Sequence, residues 1–535
     1  MKLFSKNLVT ALFLVGCLCG SVAHAQTSLS LPMTYGNAMV LQREIPLKLQ
    51  GRCLPGGEVT ILLVSATEKL AQVSSRANDE GFWQATLPPQ VAGGPYELTF
   101  CTGEEQITFT DVWVGEVWLC SGQSNMELRI HEIATARENM AEAAHRDELH
   151  LFNMQNPWDV FNHVWPQAVV DSVDKGLVRM ESRWEHCSSE AVRNFSAIGF
   201  HFGKHLADSL GCHVGLICNA VGGSTTEGWV DSLTLAAEVP EILEGDWVEN
   251  PFIMEWARTR AKHNLSAAAS MPESSRNGEG NKKSANLHAH PYAPTFLFSH
   301  AIRPLGAYPI RGVLWYQGES NAELPEIHAR LFPALEHSWR KEWGCETLPF
   351  YTVQLSSIAP RKTWPEFRNS QRLLADSLSH TWMVVSSDLG DSLDVHPRRK
   401  APIGHRLALS ALHHTYGFAH IVPSGPQPLQ ALGEGNTVRV CFANGNGLKA
   451  REGSTWVGFE LAGEDGIFYP AEARLPSDYS DGKDFGMLLV EASEVANPKQ
   501  IRYGWQPFTR ANLENAAGLP CSTFRMEVLS GSPSF

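Results

Sequence analysis

The stretch VWLCSGQSNMEL, residues 117–128, is an apolar strand pattern that breaks off in small and amide residues. A strand that only turned back would favour Asn-Gly, Asp-Gly or Pro-Gly at its end. Here a serine, Ser124, stands between Gln123 and Asn125. We therefore predict a strand-to-helix corner that exposes a hydroxyl group, which is one way for a protein to present a nucleophile.

Alternating strand and helix patterns extend outward from this corner. Strand patterns at 214–218 and 310–315 each follow a helical pattern, at 200–210 and 296–305. Such alternation is typical of an α/β domain with a parallel sheet, and we place this domain at residues 111–416. Before and after it, short strands are separated by Gly and Pro turns. The sequence therefore predicts β-sandwich-type regions at 26–110 and 417–535 on either side of the parallel α/β domain.

Composition limits the classes of function. The chain has 535 residues, 43% of them hydrophobic and 19% charged, with a formal net charge of −14. These values are those of an ordinary globular protein, and the length predicts two or three domains. The negative charge argues against a nucleic-acid partner and against an anionic membrane surface. An acidic small-molecule substrate is still compatible with it, because a few local arginines can override the overall charge.

The N-terminal residues 1–25 have the pattern of a secretory signal peptide. Lysines precede an apolar run, and Ala23-His24-Ala25 offers a small-x-small cleavage site. Residues 14–17 also resemble a bacterial lipobox that would lipidate Cys17, but the Ala-x-Ala site has the better-proportioned apolar segment. No later segment approaches the length of a membrane span. We predict a periplasmic or secreted protein without an integral membrane span.

Metal chemistry is not predicted. No two cysteines have the CxxC spacing of a structural zinc site. The histidines at 288, 290, 413 and 414 have no carboxylate at a recognised ligand spacing. The sequence therefore predicts no metal site, and the reaction class inferred below requires no organic cofactor.

Polar residues end four of the predicted strands of the α/β domain. In open α/β sheets the carboxyl ends of the strands form one rim, and ligands bind there. Four polar ends on one rim would therefore make a site. They lie at 122–125, 219–225, 316–321 and 394–397.

The residues at these ends fit acyl transfer. A serine hydroxyl becomes a nucleophile when a histidine takes its proton, and a carboxylate fixes the tautomer of that histidine. The oxyanion needs donors already in place, such as glycine N–H groups and a side-chain amide. One polar strand end alone would be ordinary turn chemistry, but four in series favour catalysis. The candidate parts are Ser124, Gly223, Gln317 or Asn321, Asp394 and His396.

Two short motifs are set aside. Residues 390–393 spell GDSL, the name of a family of serine esterases, but in those enzymes the serine follows the first strand of the catalytic domain. Here Ser392 stands four residues before His396, near the end of the domain. GQSNM at 122–126 lacks the second glycine of G-x-S-x-G, so the α/β-hydrolase elbow is not matched.

The same segments resemble the SGNH-type carbohydrate esterases, and in particular the sialate O-acetylesterase family, over most of the chain. GQSNM at 122–126 is similar to the nucleophile block, and GVLWYQGESN at 312–321 matches the most specific block. Further similar segments are MVLQR at 39–43, GGSTTEGW at 222–229, GDSLDVHPRRK at 390–400 and YGWQPFTRANLENAAGLP at 503–520. The resemblance implies an SGNH-hydrolase-like catalytic domain.

Carried over by position, the resemblance implies Ser124 as the nucleophile and His396 as the general base. It also implies oxyanion contacts from the backbone N–H groups of Ser124 and Gly223 and from the side chain of Gln317.

The carboxylate of the triad is less directly indicated. Many relatives in the wider superfamily have an aspartate three residues before the histidine, where this chain has Leu393. We choose Asp394, with Asp391 second, and a Ser–His dyad as the alternative.

We predict an exported serine esterase that removes acetyl groups from the hydroxyls of a carbohydrate, sialic acid first among them. A sialic acid carboxylate would require an arginine, for which Arg368 and Arg193 are candidates. Asn321 and Trp229 complete the predicted substrate-binding set, although a tryptophan near such a site more often packs than carries a sugar.

Two alternatives stay open at this stage. The same mechanism could act on acetylxylan or another polysaccharide ester, because the fold fixes the chemistry better than the substrate. A protein of a different class, a carbohydrate-binding protein with an inert hydrolase core, would keep the β-regions but not the activity.

Overall fold

The structure is a computed structural model that describes residues 29–177, 179–269, 288–306, 308–453, 455–476 and 485–530. The predicted signal peptide and Cys17 lie outside the described residues.

Seven strands build the N-terminal region. Antiparallel pairing joins β3 to β4 and β6, and β6 to β7, while β2 and β5 form a separate two-stranded sheet. The strands are β1 (Met39–Gln42), β2 (Leu47–Arg52), β3 (Glu58–Val64), β4 (Lys69–Arg76), β5 (Phe82–Leu87), β6 (Gly93–Thr102) and β7 (Glu105–Gly122).

Strand β7 links this region to the catalytic domain. It is 18 residues long. Its first part pairs with β6, whereas residues 116–122 lie in a parallel sheet between β10 and β11. The predicted boundary at residues 110–111 therefore falls inside one continuous strand, which joins the N-terminal region directly to the sheet that carries Ser124.

The parallel sheet has the order β13-β12-β11-β7-β10-β8-β9, and only the edge strand β9 within this path runs antiparallel to its neighbour. This arrangement confirms the predicted α/β class. The remaining strands are β8 (Leu149–Asn153), β9 (Trp184–His186), β10 (Val214–Ala220), β11 (Gly312–Tyr316), β12 (Phe350–Val353) and β13 (Thr381–Val384).

Helices cover both faces of this sheet, because successive side chains of a strand point to opposite faces. Val117 and Leu119 of β7 join the hydrophobic core on one face, whereas Trp118 and Cys120 join the core on the other. The helices are α1 (Ser124–Glu127), α2 (Ala136–Ala143), α3 (Gln167–Asp174), α4 (Ser189–Arg193), α5 (Ala197–Leu210), α6 (Ser232–Glu238), α7 (Glu255–Asn264), α8 (Ser266–Ala269), α9 (Pro325–Trp343), α10 (Trp364–Ser377) and α11 (Ala401–His414). Among the residues with assigned structure, no helix is long and apolar enough to cross a membrane.

The C-terminal region differs from the predicted sandwich type, because seven of its strands close into a barrel in the order β14-β15-β19-β18-β17-β20-β22. The first strand, β14, pairs in parallel with the last, β22, and this closure leaves no open sheet edge. The strands are β14 (Gln427–Glu434), β15 (Thr437–Ala443), β16 (Lys449–Ala450), β17 (Phe459–Ala462), β18 (Phe468–Arg474), β19 (Phe485–Glu491), β20 (Gln500–Tyr503), β21 (Leu513–Glu514) and β22 (Phe524–Ser530).

Candidate functional site

The corner after β7 places Ser124 at the start of α1. Gly122 has a φ of 132°, and a Cβ atom there would lie 2.2 Å from the carbonyl oxygen of Tyr316, so only glycine fits. The N–H of Gln123 donates to that same carbonyl at 3.0 Å. The corner is thus fixed against the end of β11, and Ser124 follows directly.

His396 lies beside this serine, in the loop between β13 and α11. Its Nε2 atom is 2.8 Å from Oγ of Ser124. With the proton of the neutral imidazole on Nδ1, Nε2 accepts a hydrogen bond from the serine hydroxyl. Burial lowers the pKa of His396 below its ordinary value of 6.5, while the carboxylate of Asp394 acts in the opposite direction. Two residues that are 272 positions apart in the chain therefore meet in the geometry of a nucleophile and its base.

The two candidate carboxylates have different positions. Oδ1 of Asp394 is 3.7 Å from Nδ1 of His396, beyond hydrogen-bonding distance, and accepts the backbone N–H of His396 at 2.8 Å instead. Asp391 has no contact with the imidazole; its Oδ1 accepts the N–H groups of Leu393 and Asp394 at 2.8 and 3.1 Å. Asp394 is thus the nearer carboxylate, and Asp391 shapes the loop that carries it.

The glycine turn at residues 222–223, after β10, lies at the same corner. A Cβ atom on Gly222 would lie 3.7 Å from the Cβ of Ser124, so the turn after β10 packs against the serine. Gly223 has a φ of 69°, and a Cβ there would lie 2.2 Å from the hydroxyl oxygen of Tyr292. Within the described ranges, the N–H groups of Ser124 and Gly223 donate to no protein acceptor. They are free to bind an anionic oxygen.

The amide of Gln317 has a different role from the predicted one in the oxyanion hole. Its Nε2 donates to the carbonyl of Ser224 at 3.2 Å and to Oδ1 of Asn321 at 2.6 Å, and its Oε1 accepts the hydroxyl of Thr226 at 2.7 Å. Both N–H groups of this buried amide are therefore engaged. Gln317 joins the polar ends of β10 and β11, which keeps the Gly223 turn in place.

Asn321 belongs to the same hydrogen-bonded cluster as Gln317. It is buried, its Oδ1 accepts the N–H of Thr226 at 3.0 Å, and its Nδ2 donates to Glu227 at 3.0 Å. Glu227 is itself fully buried, and this burial raises its pKa to about 7. Asn321 therefore supports the site from below and does not face a substrate as predicted.

Trp229 also lies beneath the site. It is fully buried, packs edge-to-face on Trp315 and Trp339, and donates through Nε1 to the hydroxyl of Ser224 at 2.9 Å. The prediction that it binds a sugar is contradicted by this burial.

Arg368 is likewise buried and bonded to protein groups. Its side chain, in α10, is fully buried and donates to the carbonyls of Gly504 and Gln506, at 3.0 and 2.5 Å, and to the hydroxyl of Ser357 at 3.3 Å. It fastens the C-terminal barrel to the catalytic domain, so the predicted contact with a substrate carboxylate is wrong. The other candidate, Arg193, is exposed at the end of α4.

A cavity of about 460 Å³ lies next to the site. Glu319 in its wall accepts a hydrogen bond from Asn125, the residue after Ser124. Met254, also in its wall, packs with Tyr292, whose hydroxyl donates to the carbonyl of Gly222. The lining residues are Met254, Glu319, Glu323 and 360–364.

The sequence reasoning missed the basic residues of this cavity and one buried lysine. Arg361 and Lys362 are exposed at the cavity, and Arg361 lies 3.9 Å from Glu323. Lys400 is buried and donates to Asn125. Lys400 is the last residue of the segment GDSLDVHPRRK. Its closeness to His396 in the sequence is the feature that could have identified it as part of the site. In the described parts of the chain, no cluster of three or more His, Cys, Asp or Glu could hold a metal ion.

Comparisons with known proteins find similar sequences and a similar crystal structure. The family described as carbohydrate esterase, sialic acid-specific acetylesterase, matches residues 114–239 and 292–413, which include Ser124 and His396. The sialate O-acetylesterases of Homo sapiens and Pongo abelii are each 30% identical to this chain, over 73% of the chain and 72% of the relative. The crystal structure of a carbohydrate acetylesterase from Xanthomonas citri superposes with a TM-score of 0.72 at 29% identity, over 94% of this chain and all of that one.

Proposed function

The chain belongs to the sialate O-acetylesterase family of carboxylic ester hydrolases, and we propose that it removes O-acetyl groups from sialic acids with Ser124 as the nucleophile and His396 as the base. The observation that carries this proposal is the 2.8 Å contact between Nε2 of His396 and Oγ of Ser124. It stands beside two backbone N–H groups that have no protein acceptor in the described ranges.

The mechanism follows from these positions. Nε2 of His396 removes the proton as Oγ of Ser124 attacks the acetyl carbonyl, and the N–H groups of Ser124 and Gly223 stabilise the oxyanion. The imidazolium then protonates the departing sugar alkoxide, leaving an acetyl-enzyme. In the second half, His396 takes a proton from a water that attacks this ester, and the same donors hold the second oxyanion. The bond from the acetyl carbon to Oγ of Ser124 then breaks, acetate leaves, and the imidazolium returns its proton to Oγ. Asp394 contributes a negative charge near the imidazolium without a hydrogen bond to it.

The cavity beside Glu319 is the proposed position of the sugar. Its volume of about 460 Å³ lies in the range typical of small-molecule sites. Arg361 and Lys362 supply positive charge at its edge for the carboxylate of a sialic acid, in place of the buried Arg368.

A second substrate class is favoured by the opposite charge in the same cavity. Glu319 and Glu323 line it together with the two basic residues. Carboxylates are good acceptors for sugar hydroxyls, and they would disfavour an anionic ligand. A neutral acetylated polysaccharide, such as acetylxylan, is therefore the alternative substrate of the same mechanism.

The test is acetate release from O-acetylated sialic acid and from acetylated xylan, with the wild type and Ser124→Ala. Ser124-dependent release from sialic acid alone supports the proposal. Release from xylan alone retains the mechanism and replaces the substrate. If neither substrate releases acetate while sugar binding is retained, the protein is an inert carbohydrate-binding protein.

We also propose that the protein is exported to the periplasm or secreted, on the pattern of residues 1–25 alone. Fractionation of cells that express the full chain, with sequencing of the mature N-terminus, tests this. An N-terminus at Gln26 supports cleavage after Ala25, a lipidated Cys17 replaces it with a membrane anchor, and a full chain in the cytoplasm contradicts export.

A further inference from the structure

Three side chains, of which Asn125 and Lys400 are buried, form a bridge behind Ser124 and His396. Nζ of Lys400 donates to Oδ1 of Asn125 at 2.5 Å, and Nδ2 of Asn125 donates to Oε1 of Glu319 at 2.5 Å. The same Nδ2 also donates to the carbonyl of Val395 at 3.0 Å. The amide of Asn125 therefore uses its oxygen and its nitrogen at once, between a cation, an anion and a backbone carbonyl.

Two members of the bridge are buried. Asn125 has no exposed surface, and Lys400 is 1% exposed with its Nζ 5.5 Å from the ring centroid of Tyr316. Burial lowers the pKa of Lys400 to about 7 and raises the pKa of Glu319. Buried charges destabilise a fold unless they are well paired. Such a cluster directly behind a reactive serine therefore calls for an explanation in terms of the site.

The bridge connects the two chain segments that react. Asn125 follows Ser124 in the corner after β7, and Val395 precedes His396 in the loop before α11. The carboxylate of Asp394 is 3.7 Å from Nδ1 of His396, so Nδ1 donates no hydrogen bond to this carboxylate that would fix the imidazole ring. The hydrogen bond from Asn125 to the carbonyl of Val395 ties the histidine loop directly to the serine corner.

We propose that Asn125, held by Lys400 and Glu319, is the positioning residue that sets the distance between Nε2 of His396 and Oγ of Ser124. The inference rests on the proposed roles of Ser124 and His396. It assigns to this bridge the orienting part that a hydrogen-bonded carboxylate performs in a full triad.

An asparagine suits this position and an aspartate does not. The amide accepts from the ammonium of Lys400 and donates to both Glu319 and Val395. A carboxylate could only accept, so it would face a second carboxylate and a carbonyl oxygen without a proton between them. Asn125→Asp is therefore expected to separate the two segments, although it changes little in volume.

The charge of Lys400 also affects the pKa of His396, which can be measured. Four charged groups act on His396: Asp394 and Arg398 in its loop, Lys400 at the start of α11, and Glu132 from the 130–132 turn. The two carboxylates raise the pKa of His396, and the two cations lower it. Removal of the charge of Lys400 therefore raises this pKa, which a purely structural lysine elsewhere would not do.

The experiment uses the full chain and p-nitrophenyl acetate, an ester without a sugar, with kcat, KM and the pH dependence of kcat/KM measured for each variant. We expect Asn125→Asp and Lys400→Met to lower kcat about 100-fold with little change in KM, since a misplaced base costs rate and not binding. Glu319→Gln keeps an oxygen acceptor and should retain more activity than Glu319→Leu. Lys400→Met should also move the acidic limb of kcat/KM to higher pH. Lys499→Met, at a partly exposed lysine just before β20, is the control and should change neither kcat nor the pH profile.

Folding and chemistry are separated by a second measurement. Far-UV circular dichroism and the thermal unfolding curve give the folded fraction, to which kcat is normalised. A normalised kcat equal to that of the wild type in Asn125→Asp or in Lys400→Met overturns the positioning role. Ser124→Ala in the same assay distinguishes failure of the positioning role from failure of the proposed function. If it is inactive while the bridge variants keep their kcat, only the positioning role fails; if it is fully active, the proposed function fails with it.

Discussion

Nδ1 of His396 lies 3.7 Å from Oδ1 of Asp394, beyond hydrogen-bonding distance, while the same oxygen accepts the backbone N–H of His396 at 2.8 Å. Asp394 therefore fixes the loop more than the ring. We expect Asp394→Asn to lower kcat by less than about tenfold, because the amide oxygen can still accept that N–H. Loss of a hydrogen-bonded triad aspartate typically costs about 10⁴-fold. A decrease of about 10³-fold or more in p-nitrophenyl acetate hydrolysis would show that the carboxylate closes on Nδ1 during the reaction.

The acidic limb of the activity profile is set by His396. The base must be neutral to take the serine proton, so activity is lost as pH falls through its pKa. Burial holds that pKa below the ordinary 6.5. We therefore expect kcat/KM to rise with pH and to reach half its maximum below pH 6.5. Measurement of kcat/KM on a neutral ester between about pH 4 and 9 checks this, and a midpoint above about 7 would contradict the assignment.

The parallel sheet could be predicted from the sequence because its strands are buried on both faces and end in polar residues. β7, β10 and β11 are continuous apolar runs in the sheet, and each is followed by the turn that carries a site residue. Closure of the C-terminal barrel could not be predicted. It depends on the pairing of β14 with β22 at opposite ends of the region, and the alternation within a single strand carries no information about its partner.

Some residues of the candidate site could be predicted from the sequence and others could not. The types and spacing of Ser124 and His396 indicated a nucleophile and a base, and the structure brings them together. Sequence alone did not show which way Trp229 and Arg368 point, and both side chains are buried. Lys400 was missed because lysine is rarely buried, so its position after the histidine motif looked like part of a solvated basic run.

Gly223 provides a test of the oxyanion donors. Gly223→Ala would place a Cβ atom 2.2 Å from the Tyr292 hydroxyl oxygen at a φ of 69°. We expect the turn to move away from Ser124, with a decrease in kcat of about 10²–10³-fold, as for the loss of one oxyanion donor. Gly211→Ala is the matched control, because its φ is 62° but nothing lies within 4 Å of the added Cβ. Equal losses of kcat in the two folded variants would argue against a role for Gly223 in the reaction.

Arg368 should matter for stability. Arg368→Met leaves the carbonyls of Gly504 and Gln506 without their buried donor. We expect a loss of about 2–5 kcal/mol in the free energy of unfolding, followed by urea, with KM unchanged in the folded enzyme. Arg183→Met, at a side chain that is 85% exposed, should change stability by less than about 0.5 kcal/mol. An increase in KM for sialic acid without loss of stability would restore Arg368 as a substrate ligand.

Arg361 and Lys362 should determine whether the enzyme accepts an anionic sugar. They are the basic residues of the cavity beside Glu319, and their side chains are exposed there. An ion pair between an arginine and a carboxylate at such an exposed site is modest in strength. We therefore expect Arg361→Gln and Lys362→Gln each to raise KM for O-acetylated sialic acid about three- to tenfold, with kcat unchanged and with no effect on p-nitrophenyl acetate. The measurement is repeated at high salt. Because salt screens exposed charges, the KM of the wild type should rise toward the KM values of the variants. Equal KM values for wild type and variants, or a KM that falls when positive charge is removed, would instead favour a neutral acetylated polysaccharide, for which Glu319 and Glu323 are the acceptors in the same cavity.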